Sequence, residues 1–290
     1  MAMILGGKEV AQKKREQVKA QTEELKKQGM EPRLHIIRVG CRPDDIYYQK
    51  SLEKACTATG ITCTIQELSE DEGQAKLEEA LKKAAADNDI HGILLFSPLP
   101  DNYDLPAATK LIPSSKDVDC LNPHSAGAIF TGCEEAYPPC TAAAVMEMLD
   151  YYKANLAGSN VTVVGRSLVV GKPLAMLLLQ ANATVTVAHS RSNDLPAVCR
   201  KADIVIAAVG RARMFKGNFF TPGQVVIDVG INEDPDNPGK MCGDVDYETV
   251  SEIVSAITPA PGGVGSVTSS LLCAHVADAC AKTLRKKDKK

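Results

Sequence analysis

The chain is short of several features that would assign it to a class. No apolar run approaches the roughly 20 residues a membrane-spanning helix needs, so no membrane role is expected. Basic charge is not in excess: 33 Lys and Arg face 36 Asp and Glu, a formal net charge of -3. A dedicated nucleic-acid binder needs a basic face, and this balance implies none. The start, MAMILGGKEVAQKKREQ, has no basic leader before an apolar stretch and no cleavage site. No secretory signal is read there, and a cytoplasmic protein is expected. The 10 cysteines include no CxxC pair and no Cys/His cluster at zinc spacing, so no metal site is expected. In a chain this long without an export signal they are expected as reduced thiols. Cys56, Cys199, Cys273 and Cys280 sit in helical patterns and should pack as small hydrophobes. Internal repeats and low-complexity segments are absent.

What is present is ordinary for a soluble protein: 44% apolar, 24% charged, and 290 residues, enough for two modest cores. The first half alternates helix and strand. A charged helix is expected from Lys8 to Lys27, a strand over Leu34–Gly40, and a helix over Tyr47–Thr59 ended by Gly60. A strand ITCTIQEL, a helix over Asp71–Ala86 and a strand IHGILLFSPL follow. Near Pro138-Pro139 the pattern restarts with a helix over Thr141–Tyr152. Then come NVTVVG, a helix over Gly171–Gln180, ATVTVAHS, ADIVIAAVG and QVVIDVGIN. Strands separated by helices imply parallel pairing, and continuous Val/Ile runs imply burial on both faces. The chain closes with an Ala- and Cys-rich helix over Val267–Leu284, and the tail Arg285–Lys290 reads as a solvated, frayed end.

Two glycine-rich turns carry the chemistry. VVGRSLVVGKP (Val163–Pro173) and TPAPGGVGSVT (Thr258–Thr268) each lie between an apolar run and a helical pattern. Backbone N–H groups there can face phosphates or a ring carbonyl. Gly165 and Gly171 are spaced G-x5-G, not the common dinucleotide fingerprint, and a tight strand-to-helix turn would read the same. The end of the next strand is His189-Ser190-Arg191-Ser192, with no acid to meet ribose hydroxyls. Ser190 and Arg191, with Arg166 and Ser167 in the turn, suit a 2′-phosphate. Each arginine taken singly could be a solvated surface residue. Together they favour NADP, with NAD possible. His189 reads as a strand-end residue, because nothing pairs it with a nucleophile.

These turns, with YYQKSLEKACTATGI (Tyr47–Ile61), GILLFSPLP (Gly92–Pro100), KDVDC (Lys116–Cys120), PPCT (Pro138–Thr141) and DVGIN (Asp228–Asn232), resemble the bifunctional methylenetetrahydrofolate dehydrogenase/cyclohydrolase family over almost the whole chain. The resemblance implies an α/β fold in two domains with a cleft between them. Residues 1–144 would form the parallel-sheet substrate domain, completed by a C-terminal helix at 267–290. Residues 145–266 would form the Rossmann-like cofactor domain. It further implies a tetrahydrofolate substrate, a homodimer, Ile231 packed on the nicotinamide end of the cofactor, Pro261, Gly262 and Gly263 on the folate side, and Asp119 accepting hydrogen bonds from the pterin ring. The plainer readings are a buried strand tail for Ile231 and a helix cap or ion-pair partner for Asp119.

The departures from the family pattern are as telling. The family's substrate helix has a Tyr, a catalytic Lys four residues on, and a second Lys two further. Here Tyr48 and Lys54 match the outer two, and the catalytic position is Leu52. Lys50 and Lys54 are two residues from Leu52, about 200° round a helix, so neither can easily stand in. The glutamine that contacts the lysine in the family is Phe96 here, and the leucine after it is Ser97. Asp45 stands where serine is usual, Cys120 where glycine is usual, and Ser266 where proline follows the glycine turn. Lysine and glutamine have been replaced together by apolar residues, as when a polar network is abandoned.

The family's two reactions make different demands. Hydride loss from the methylene bridge leaves a cation held by two nitrogens and needs alignment more than an acid or base. Hydrolysis of the methenyl cation needs an activated water and a protonated leaving nitrogen, which leucine and phenylalanine cannot supply. A dehydrogenase with weak or lost cyclohydrolase activity is the expectation. The alternatives are a bifunctional enzyme using another lysine, a dehydrogenase of another small substrate, and a non-catalytic folate- or nucleotide-binding protein.

Overall fold

The structure, a computed structural model, describes residues 1–133 and 135–287. The end of the basic tail, Asp288–Lys290, lies outside the described residues. The chain divides into two compact units. One comprises Met1–Ala11 with Thr141–Thr268; the other comprises Gln12–Cys140 with the residues from Ser269 onward. Assigning residues 1–144 wholly to the first domain therefore misplaces the N-terminus. Met3–Ile4 pairs in parallel with Ala256–Ile257 and adds the last strand to the later unit's sheet. Two residues carry too little periodicity for that strand to be read from sequence.

The later unit is built on six parallel strands in the order Met3–Ile4, Ala256–Ile257, Val225–Asp228, Ile204–Ala207, Asn160–Val164, Thr184–Ala188. Its central strands are buried throughout, as the Val/Ile runs imply: Val163, Val164, Val205, Ile206, Val226 and Ile227 have no exposed surface. Asn160–Val164 pairs with a later strand on each side, so strand order switches at its carboxyl end, the usual place for a ligand in an open α/β sheet. The expected strand QVVIDVGIN is shorter. It stops at Asp228, because the Asp228 carboxylate accepts the Gly230 N–H at 2.9 Å and turns the chain. Asn232–Glu233 then pairs antiparallel with Met241–Cys242.

The other unit holds three parallel strands in the order Thr62–Leu68, Arg33–Val39, Gly92–Leu95. Ile93 also bridges to Asp117, which ties the KDVDC loop to the sheet. The helix Pro43–Thr59 ends on Gly60 in the left-handed conformation, as expected. It begins four residues before Tyr47, led by Pro43. The helix Thr268–Lys287 contributes Leu272, Cys273, Val276, Ala277 and Cys280 to the buried set. Among the short helices that went unread in the sequence are Leu105–Thr109, Pro123–Thr131 and Leu195–Arg200. Each opens with Asp or Asn followed within two residues by Pro, and Asp104, Asn122 and Asp194 accept N–H bonds from Ala107, His124 and Ala197. That cap signal was in the sequence. All ten cysteines are free thiols. No helix among the described residues is long and apolar enough to cross a membrane.

Candidate active site

The glycine turn follows Asn160–Val164 directly. Gly165 has φ +140° and donates its N–H to the Ala188 oxygen at 2.9 Å, joining the two strand ends. A Cβ on Gly171 would strike the Gly165 carbonyl, so only glycine lets the helix Gly171–Gln180 start this close to the strand. That helix has no side-chain cap; the Ser167 carbonyl takes the Lys172 N–H at 3.1 Å and Pro173 has none, so within the first three residues the N–H left to a ligand is that of Gly171. Ser167 Oγ accepts from Val170 N at 3.1 Å and shapes the turn, while Arg166, Leu168 and Val169 are exposed. At the neighbouring strand end, His189 Nδ1 accepts from Arg191 N at 3.2 Å, and Ser192 Oγ accepts from His189 N at 3.0 Å. His189 thus orders a turn that leaves Ser190 and Arg191 open to solvent.

In the same unit a cavity of about 130 Å³ is lined by Asp228–Ile231 and Pro259–Ser266. It brings Ile231, which is 55% exposed, against Pro261, Gly262 and Gly263. Sequence reasoning took DVGIN as a motif but gave no role to the carboxylate of Asp228, which lines this cavity, or to Asp244. Asp228 accepts N–H bonds from Gly230, Asp244 and Val245 at 2.9–3.0 Å. Asp244 accepts from Val209, Gly210 and Arg211 at 2.7–3.0 Å and from Asn232 Nδ2 at 2.9 Å. Burial pushes the Asp228 carboxyl up to about 7, and nearby Asp244 adds to the rise while the three N–H donors oppose it. The signal available in sequence was an acid at the end of an apolar strand, next to glycine.

Tyr48, Leu52, Phe96 and Asp119, singled out in the sequence on the substrate side, lie in the other unit. The Tyr48 and Phe96 rings lie 5.5 Å apart, tilted by 35°. Burial of the Tyr48 hydroxyl raises its pKa well above the usual phenol, and the Asp119 carboxylate is near enough to push the same way. Leu52 has no exposed surface and Phe96 is 5% exposed. Leu52, at the family's catalytic-lysine position, is thus packed in the core, and Tyr48 is the open member of the set. Lys50 and Lys54 line a surface hollow with Glu53, Thr57 and Ala58, away from Leu52. Lys116 is committed elsewhere, donating to the Ala85 and Asp87 carbonyls at the end of the helix Gly73–Ala86 at 2.9 and 2.5 Å.

Asp117 and Asp119 divide the work of KDVDC. Asp117 is fully buried and accepts from Leu121 N and Asn122 N at 2.9 and 2.8 Å, closing the loop on itself. Asp119 is partly exposed, and its Oδ1 accepts the Cys140 N–H at 2.7 Å. Desolvation lifts it to about 6, with the Cys140 N–H opposing.

Two departures that sequence left without a role gain one. Asp45 is buried and pairs with Arg42, Nε to Oδ2 and Nη2 to Oδ1 both at 3.3 Å, while Arg42 Nη1 donates to the Pro98 carbonyl at 3.3 Å. The pair fastens the start of the Tyr48 helix to the segment beside Phe96. Cys120 has φ +58°, the left-handed region that glycine occupies freely. Its thiol is pushed up to about 12, by burial first and then by Asp117 and Asp119. Cys120→Gly is expected to raise unfolding free energy by about 1 kcal/mol, since a non-glycine residue held there costs about 1–3 kcal/mol and glycine's extra unfolded entropy returns part of it. Urea melts check this; a lower midpoint would contradict it.

An open parallel sheet with a glycine turn and an uncapped helix start at its switch point is the arrangement of a dinucleotide-binding unit. The sequence model for the tetrahydrofolate dehydrogenase/cyclohydrolase catalytic domain matches residues 5–119, and that for the NAD(P)-binding domain of the same enzymes matches residues 139–284. The chain belongs to the tetrahydrofolate dehydrogenase/cyclohydrolase family. It is 53% identical over 280 residues to the bifunctional protein FolD of Carboxydothermus hydrogenoformans, covering 97% of this chain and 98% of that one. The crystal structure of the bifunctional FolD enzyme from Campylobacter jejuni matches with TM-score 0.94 at 37% identity, over 97% and 99% of the two chains. A Trypanosoma brucei methylenetetrahydrofolate dehydrogenase-cyclohydrolase, solved with NADP and an inhibitor, matches with TM-score 0.92 at 33% identity, over 98% and 99%.

Proposed function

We propose that this protein oxidises 5,10-methylenetetrahydrofolate to 5,10-methenyltetrahydrofolate with NADP, and that its hydrolysis of the methenyl product is weak or lost. The glycine turn suits the cofactor: it admits no side chain at Gly171, and the helix beyond it starts without a side-chain cap and with the Gly171 N–H open. Gly165, Ser167 and Gly171 would face the pyrophosphate, Arg166, Ser190 and Arg191 the 2′-phosphate, and Ile231 the nicotinamide. Bound NADP supplies the hydride acceptor. The protein's residues need only align the donor carbon and exclude water. The methylene C–H bond breaks with its electron pair, and the carbon left behind shares its charge with both adjoining nitrogens, so no side chain takes a proton.

The observation that carries the loss of hydrolysis is the burial of Leu52 together with the Tyr48–Phe96 contact. The alternative, another lysine reaching in, is disfavoured by where Lys50, Lys54 and Lys116 point. Asp119 is read as the acceptor for the pterin's donor edge, with Tyr48 in the same unit. Family resemblance also implies a homodimer, which sedimentation velocity tests; a single-chain mass would contradict it.

Cofactor choice has its own test. Arg166→Ala and Arg191→Ala are each expected to weaken NADP by roughly tenfold to a hundredfold, the worth of one charge-assisted phosphate contact, and to leave NAD within a few-fold. KM for each cofactor in both variants measures this. Native protein that used NAD as well as or better than NADP would contradict the reading.

A further inference from the structure

Behind Asp119 stands a buried histidine that the hydride step does not use. His275, on the helix Thr268–Lys287, is 8% exposed. Its Nδ1 lies 2.9 Å from the carbonyl oxygen of Val118, the residue immediately before Asp119. A carbonyl can only accept, so Nδ1 carries the proton and donates it. Burial pushes the imidazole down to about 4, so near neutral pH the ring is uncharged and in that tautomer. The ring is held from its face as well. Tyr137 packs against it with centroids 5.1 Å apart, and the Tyr137 hydroxyl donates to Asp278 Oδ2 at 3.1 Å. Asp278 pairs with Lys282 at 3.0 Å, and the Lys282 ammonium sits 4.4 Å above the Tyr137 ring.

Cys140 Sγ lies 3.7 Å from His275 Nδ1, a spacing that suggests a nucleophile and its base. The chemistry does not support one. Nδ1 already holds its proton for Val118, and burial, with Asp119 adding to it, pushes the thiol well above its usual pKa, so no thiolate forms. What the two side chains share is the Val118 carbonyl, which Cys140 Sγ also approaches at 3.5 Å. The Cys140 N–H holds Asp119 Oδ1 at 2.7 Å. The peptide on one side of Asp119 is thus fixed by the last helix, and its carboxylate by the start of the helix Cys140–Tyr151.

We propose that His275 is a positioning residue for the folate site: its Nδ1–H anchors the Val118 carbonyl and thereby aims the Asp119 carboxylate at the substrate. The proposal rests on the reading of Asp119 as the pterin acceptor. A backbone carbonyl released from its donor lets the next side chain swing, and misplacement of a binding group by about 1 Å can cost roughly a hundredfold.

Two substitutions separate the donor from the ring. His275→Asn keeps an N–H near the Nδ1 position and removes the ring. His275→Phe keeps a ring against Tyr137 and removes the donor; His275→Leu replaces it if the phenylalanine variant does not fold. Steady-state kinetics with methylenetetrahydrofolate and NADP, beside Asp119→Ala, give the readout. His275→Phe should raise KM for the folate by about tenfold to a hundredfold with kcat and KM for NADP within about threefold, the pattern of lost binding. His275→Asn should recover most of that KM. Equal folate KM in His275→Phe and the parent overturns the proposal, as does equal loss in the Asn and Phe variants, which would make the ring's packing the cause. Loss of turnover in Asp119→Ala with an unchanged folate KM in His275→Phe overturns the proposal alone. Unchanged turnover in Asp119→Ala overturns the pterin reading, and the proposal with it.

Discussion

Asp119→Ala should abolish measurable turnover while leaving the fold and NADP affinity intact. On the proposed reading, the lost interaction is a carboxylate meeting two donors on the pterin edge. At about 1.5–3 kcal/mol for each charge-assisted bond, the loss in kcat/KM is roughly 10²- to 10⁴-fold. NADP affinity should hold because Asp119 and the Gly165–Gly171 turn belong to different units. Fluorescence titration with NADPH and a thermal melt, run beside the activity assay, separate the outcomes. Early melting with weakened NADPH binding would make Asp119 structural. The carboxylate also predicts a pH signature. Only its ionised form accepts from the pterin, so kcat/KM for the folate should fall as pH drops through about 6. Stability runs the other way. A carboxyl raised in the folded state holds a proton that the unfolded chain has released, so its stabilisation is present below about pH 4 and lost as pH rises to about 6.

The second large effect is a gain. Leu52→Lys alone should restore little hydrolysis and destabilise the protein by several kcal/mol, because the structure places that side chain in the core with no exposed surface. Phe96→Gln alone should also do little, since its amide would face leucine. The double variant should hydrolyse methenyltetrahydrofolate faster than the two single variants summed, because ammonium and amide satisfy one another. Activity that is merely additive would mean the two positions never formed one network.

Much of this was legible in the sequence, and the limits have physical causes. Continuous Val and Ile runs gave the later sheet, since strands covered on both faces leave no polar alternation. Gly165 and Gly171 gave the tight strand-to-helix turn because close backbone approach admits no other residue. The departure at Leu52 was visible from spacing to Ala55-Cys56, but its withdrawal into the core was not, since helical phase says which face a residue takes and not how deep that face lies. Met3–Ile4 was invisible because its partner lies more than 250 residues away and only pairing makes it a strand. Asp228, Asp244 and His275 were missed for a shared reason. Each is a polar group whose partners are mainly backbone atoms, and a sequence shows side chains, not which amides will converge on them.

The central claim is that one of the family's two activities has been lost. Its most direct test is the decay of methenyltetrahydrofolate absorbance with native protein, near neutral pH, against the buffer alone. The same preparation must oxidise methylenetetrahydrofolate with NADP. The account predicts active dehydrogenation with methenyl product accumulating and decaying no faster than background. Strong acceleration of that decay by native protein would contradict it, and would place a catalytic group for hydrolysis somewhere other than position 52.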